Sequence, residues 1–159
     1  MNAKLVLLAA ALATSFVSTA HAAAADAAPA STSSIPMLGA TGIGVKDLES
    51  STRFYTAVLG MKVLRRFELG YLNEVVMGFG ESGGANVVLM NWPNDATRHY
   101  DGSNVKLVFY VHDPAQVIEL IRKNGGKIDR EAAPIEALNG TVVGLGRDPD
   151  NYVIELLAR

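Results

Sequence analysis

From residue 38 onward, apolar positions switch twice between a helical period and a strand period. Leu48, Phe54, Tyr55, Val58 and Leu59 fall on one stripe of a helix. Asp47 stands before it as an N-cap, and Gly60 follows it as a residue free to turn left-handed. Alternating stretches flank this segment: a short strand ending Gly42-Ile43-Gly44-Val45 before it, and Met61–Leu69, Glu74–Phe79 and Ala85–Asn91 after it. The order then repeats. Val105–Val111 reads as a strand of mostly β-branched and aromatic residues, and Asp113-Pro114 opens a second helix. Val117, Ile118 and Ile121 face its core, Asn124-Gly125-Gly126 stops it, and strands near 126–129, 141–146 and 152–157 follow. Val45-Lys46-Asp47 and Val111-His112-Asp113 are 66 residues apart, as are Gly60 and Gly126. The pattern predicts an α+β fold of two βαβββ modules, about residues 38–92 and 103–158, joined by a polar loop.

The first 37 residues follow a different rule. Lys4, the apolar run Leu5–Ala13 and the small-residue triplet Ala20-His21-Ala22 have the layout of a secretory signal, so cleavage is expected after Ala22. The run is short of the roughly 20 residues a spanning helix needs. Residues 23–37 are rich in Ala, Ser and Pro and read as a tether. An exported protein, periplasmic or secreted, is the expectation, with no membrane span and a domain at 38–159.

Composition narrows the chemistry. With no cysteine, neither disulfides nor thiolate metal ligands are available, and stability must come from burial. The formal charge of −2, without a basic run, argues against nucleic acid and anionic membranes as partners. The glycine-rich stretch 78–84 lacks the Lys-Ser/Thr ending and the helix of a phosphate loop, so it reads as a hairpin connection.

Gly42-Ile43-Gly44-Val45-Lys46-Asp47-Leu48, Phe54-Tyr55 with Leu59-Gly60-Met61-Lys62-Val63, and Asp148-Pro149-Asp150-Asn151-Tyr152-Val153-Ile154-Glu155-Leu156 together carry a resemblance. On these residues the chain resembles the glyoxalase/bleomycin-resistance/extradiol dioxygenase (vicinal oxygen chelate) superfamily over residues 38–158. The resemblance implies paired curled sheets around a pocket and a homodimer. Fold alone does not fix the chemistry, since lyases, dioxygenases, epimerases and metal-free drug-binding proteins share it.

Metal-dependent members place a His or Glu on each of four strands. Carried over, these positions fall on Ala40, on Val87 (Val88 if the alignment slips by one), on Lys106 and on Glu155. One carboxylate cannot hold a divalent ion that wants three or four N or O donors. No tightly bound cofactor is therefore expected. The resemblance makes Lys106 and Glu155 neighbours. They are the candidate acid–base or anion-holding pair if the protein is an enzyme, and a structural salt bridge if it is not. Strand alternation adds Asn91, Tyr110, Ala40 and Val87 as candidate ligand-binding positions. The expected function is binding a small organic molecule in that pocket, with its transformation left open. Two alternatives stand beside it: a metal-dependent lactoylglutathione lyase-type lyase/isomerase or dioxygenase, and a drug-sequestering binding protein.

Overall fold

A computed structural model describes residues 38–159; the expected signal segment and tether lie outside the described residues. The first module runs β1 (Ala40–Gly44), α1 (Leu48–Leu59), β2 (Lys62–Glu68), β3 (Asn73–Gly78) and β4 (Asn86–Asn91). The second runs β5 (Lys106–Val111), α2 (Pro114–Lys123), β6 (Lys127–Ile135), β7 (Thr141–Arg147) and β8 (Val153–Ala158). The sheets have equivalent orders, β1-β4-β3-β2 and β5-β8-β7-β6, and in each the first strand lies parallel to the last. This is the α+β arrangement of two βαβββ modules. No described helix is long and apolar enough to cross a membrane.

The helices form where side chains can close their ends. Asp47 Oδ1 accepts the Ser50 amide at 2.7 Å, and Gly60 leaves α1 at φ 68°. Asp113 Oδ1 accepts the Ala115 and Gln116 amides, with Pro114 in the first helical turn. At the far end of α2 the left-handed residue is Gly125, not Gly126, which instead sits where a Cβ would run into Ile121 and the Arg147 carbonyl.

Both modules feed one core. Ile43, Phe54, Val75 and Leu89 from the first pack in the same buried cluster as Leu107, Ile118, Ile121 and Ile154 from the second. Each large aliphatic side chain removed from water contributes about 1.5–3 kcal/mol. The seam also has a polar latch. The turn Asp148–Asn151, with Asn151 left-handed at φ 72°, directs Asp150 toward β1 and α1, where it accepts the Lys46 amide at 3.0 Å and the Ser51 hydroxyl at 3.1 Å. The Tyr55 hydroxyl donates to Asp148 Oδ2 at 2.9 Å. The Tyr152 hydroxyl takes the Gly44 amide and donates to the Gly44 carbonyl, both at 2.9 Å.

The sheets are not closed. β2 is exposed along its whole length, and the outer face of β5 is open, with Val108 45% and Tyr110 64% accessible. The pocket expected between curled sheets is thus two open faces in the single chain. β6 is a further departure: its nine residues extend well past the expected 126–129, across register shifts on either side of Arg130.

Candidate functional site on the open sheet faces

Strand register decides which side chains share a face. In the first sheet Ala40 lies level with Asn86, Gly42 with Val88 and Gly44 with Met90, all on the face away from α1. Thr41 and Ile43 share the opposite face with Val87 and Leu89. Val87 is 4% exposed and belongs to the core, so it is not a ligand-facing position. The β4 residue next to Val87 that shares the open face with Ala40 is Val88, level with Gly42. Apolar side chains on both sides of the strand hide this parity in the sequence.

Asn91 also takes another part. Its Nδ2 donates to the Val45 carbonyl at 3.0 Å and the Lys46 carbonyl at 3.1 Å, tying the end of β4 to the loop entering α1. It positions that loop and does not line an open face. Ala40 is exposed at the start of β1, and Met90 fills the space above Gly42, where a Cβ would lie 2.8 Å from its methyl carbon. Above Gly44 stand Tyr100 and Trp92, whose rings would lie 3.3 and 3.5 Å from a Cβ there. Arg98 stacks on Trp92 at 3.9 Å from the ring centre. The loop between modules thus folds over the end of β1.

In the second sheet Lys106, Val108 and Tyr110 alternate outward along β5, and Glu155 lies level with Val108 on β8. The structure brings the expected pair together: Lys106 Nζ is 2.7 Å from Glu155 Oε2, with side chains 53% and 20% exposed. A pair this open contributes only about 0–1 kcal/mol to stability. It leaves an ammonium and a carboxylate accessible on one face.

The buried acids at the seam were not apparent as a cluster in the sequence. Burial pushes the Asp148 carboxyl up to about 6, against hydrogen bonds from the Tyr152 amide and the Tyr55 hydroxyl that pull it down. Burial also raises Asp150 and, with Asp148 beside it, lifts Tyr55 well above its ordinary range. These groups face inward and hold the modules together. The only advance signal was two acids around Pro149 in a turn.

Residues 37–156 match the Glyoxalase/Bleomycin resistance protein/Dioxygenase superfamily, and the chain belongs to it. It is 36% identical over 121 residues to a lactoylglutathione lyase of Salmonella typhimurium, covering 74% of this chain and 88% of that protein. A lactoylglutathione lyase of Neisseria meningitidis is 34% identical over 125 residues, at 75% and 88% coverage. Among solved structures, the trypanothione-dependent glyoxalase I of Leishmania major superposes with TM-score 0.65 at 30% identity, over 78% of this chain and 87% of that one. Glyoxalase I of Zea mays superposes at 0.66 and 30% identity over 77% of this chain, which spans 44% of the maize protein.

The residues present do not fit the divalent metal this superfamily implies. Of the four carried-over positions, Ala40 and Val88 have no donor, and Lys106 puts a cation where the ion would sit, paired to the one remaining carboxylate, Glu155. Among the described residues no group of three or more His, Cys, Asp or Glu is gathered.

Proposed function

We propose that this protein binds a small oxygenated organic molecule of the α-oxo carbonyl kind on the open face of the second sheet. There it carries out glyoxalase-type lyase or isomerase chemistry without a tightly held metal. The observation behind this reading is the Lys106–Glu155 pair at 2.7 Å, standing where the superfamily's metal ligands fall. The relatives named lactoylglutathione lyase support the class of reaction.

In this reading the Lys106 ammonium donates to a ligand oxygen on which negative charge develops, the role of a preorganised electrostatic group. On the hydrate or thiol hemiacetal of such a ligand, Glu155 takes the C–H proton from the carbon bearing the new hydroxyl and returns it to the neighbouring carbonyl carbon, while that hydroxyl's proton passes to the former carbonyl oxygen. The step is thus an isomerisation to a 2-hydroxy acid or thioester that needs no oxidant or reductant. Val108 and Tyr110 supply the apolar and hydroxyl contacts along β5. Export of the mature domain and its pairing into a homodimer belong to the same proposal; a second copy over the exposed β2 and β5 faces would exclude water from the pair.

The test is turnover of an α-oxo aldehyde, with and without a thiol, by the full chain in excess EDTA. Activity retained in EDTA, and reduced at least a hundredfold in both Lys106→Ala and Glu155→Gln, supports the proposal. Thermal stabilisation by the ligand without turnover leaves a sequestering protein. The second reading, a metal-dependent lactoylglutathione lyase, rests on the 36% and 34% identical relatives; it predicts activity abolished by EDTA and restored by a divalent ion.

A further inference from the structure

A cleft of about 520 Å³ lies at the seam between the modules, and neither Lys106 nor Glu155 lines it. From the first module come Leu59 at the end of α1, Phe79 and the Gly83–Ala85 turn; from the second come Val108 to His112 and Arg159. Its size falls within the range of small-molecule sites, about 300–1,000 Å³.

Two kinds of unmet polar group converge on it. β5 is an edge strand, paired with β8 alone. The Val105 and Val111 carbonyls accept the Val153 and Arg159 amides, so odd-numbered residues turn their backbone toward β8. By alternation Val108 and Tyr110 turn their N–H and C=O groups to the open edge, where they have no partner among the described residues. The side chains of His112 and Arg159 likewise meet no acid or acceptor among the described residues, as Arg53 and Arg65 do not, while Arg66, Arg98, Arg122 and Arg147 each reach a carboxylate. Arg159 and His112, both able to donate from nitrogen, line a cleft whose other lining residues include the apolar Leu59 and Phe79.

We propose that this cleft is a second ligand site, separate from the Lys106–Glu155 pair, that takes a small carboxylate with an apolar or aromatic body. The carboxylate lies between His112 and Arg159, whose planar guanidinium matches it with two parallel N–H groups. The body lies against Phe79 and Leu59, and the Val108 and Tyr110 backbone is open to any amide or hydroxyl the ligand carries. Fold-level repetition does not supply this site: the first module has Lys46 and no histidine where the second has His112.

The experiment is isothermal titration of the full chain with 3-phenylpropionate and, separately, with its uncharged amide. Binding of the acid at sub-millimolar Kd and of the amide at least tenfold more weakly is expected. Both side chains are exposed, so a His112→Gln/Arg159→Gln variant should keep its melting temperature while losing at least tenfold in affinity, and Lys106→Ala should bind as the parent does. Equal affinity for acid and amide, retained affinity in the double variant, loss of affinity in Lys106→Ala, or no binding at millimolar acid would each overturn the proposal.

Discussion

Replacing Asp148 by Asn tests the electrostatics of the seam. Asp148 Oδ1 accepts the Asp150 amide at 3.0 Å and the Tyr152 amide at 2.9 Å, while Oδ2 accepts the Tyr55 hydroxyl. Asn preserves the first two bonds, and its NH₂ can donate to the Tyr55 oxygen, so packing is kept and only the titration is removed. With burial holding Asp148 at about 6 against an ordinary 3.8, the folded chain binds this proton more tightly than the unfolded chain does. The stabilising contribution is complete below pH 3.8 and is lost as pH rises through about 6. The gap of about two units, at about 1.4 kcal/mol each, makes the loss about 3 kcal/mol. Urea unfolding of parent and variant at pH 5, 6, 7 and 8 reads it directly. Asp148→Asn should become more stable relative to the parent as pH rises, by about 1–2 kcal/mol between pH 5 and 7. A difference that is flat, or that moves in the parent's favour, would mean the three hydrogen bonds outweigh burial and the carboxylate is comfortable in its charged form.

Tyr152→Phe removes both Gly44 hydrogen bonds and should cost about 1–3 kcal/mol in denaturant unfolding, since the Gly44 amide is left without that acceptor. Gly102→Ala should destabilise at least as much, because a Cβ there falls inside the Tyr152 ring; an unchanged melting temperature would show that the loop yields freely. The buried Thr52 hydroxyl has no partner among the described residues, so Thr52→Val should leave stability unchanged or raise it by a few tenths to about 1 kcal/mol. In the homodimer proposed above, where a second copy covers the open faces, Ala40→His/Val88→Glu/Lys106→His should create a nickel or zinc site by equilibrium dialysis. The same change with Val87→Glu in place of Val88→Glu leaves at most three donors on the open faces, so it should bind metal at least tenfold more weakly and lose stability, since Val87 is buried in the core.

The fold was legible because the strongest local signals coincide with element ends. Asp47 and Asp113 cap the helices, Gly60 and Asn151 take the left-handed turns assigned to them, and most strand ends fall within a residue or two of the hydrophobic pattern. β6 was read short because Pro134 and the polar run from Asp129 to Glu131 look like a loop, whereas an edge strand with irregular register tolerates both. The candidate site was legible in part. Lys106 and Glu155 meet because adjacent parallel strands carry them on one face, a relation the family resemblance already implied. Val87 was misplaced by one residue because β4 is apolar on both sides, and a one-residue slip reverses every side chain. Asn91 looked like a ligand contact and is bonded to the backbone of its own module. The seam cleft depends on contacts between residues far apart in the chain, which periodicity does not reveal.

The Lys106–Glu155 ion pair stands on positions onto which this superfamily's metal ligands carry over. Elemental analysis of the full chain, purified without chelators and without a histidine tag, tests it most directly. Well under a tenth of an equivalent of zinc, nickel, iron or manganese is expected, with no change on Glu155→Ala. Stoichiometric metal that disappears in Glu155→Ala would contradict it.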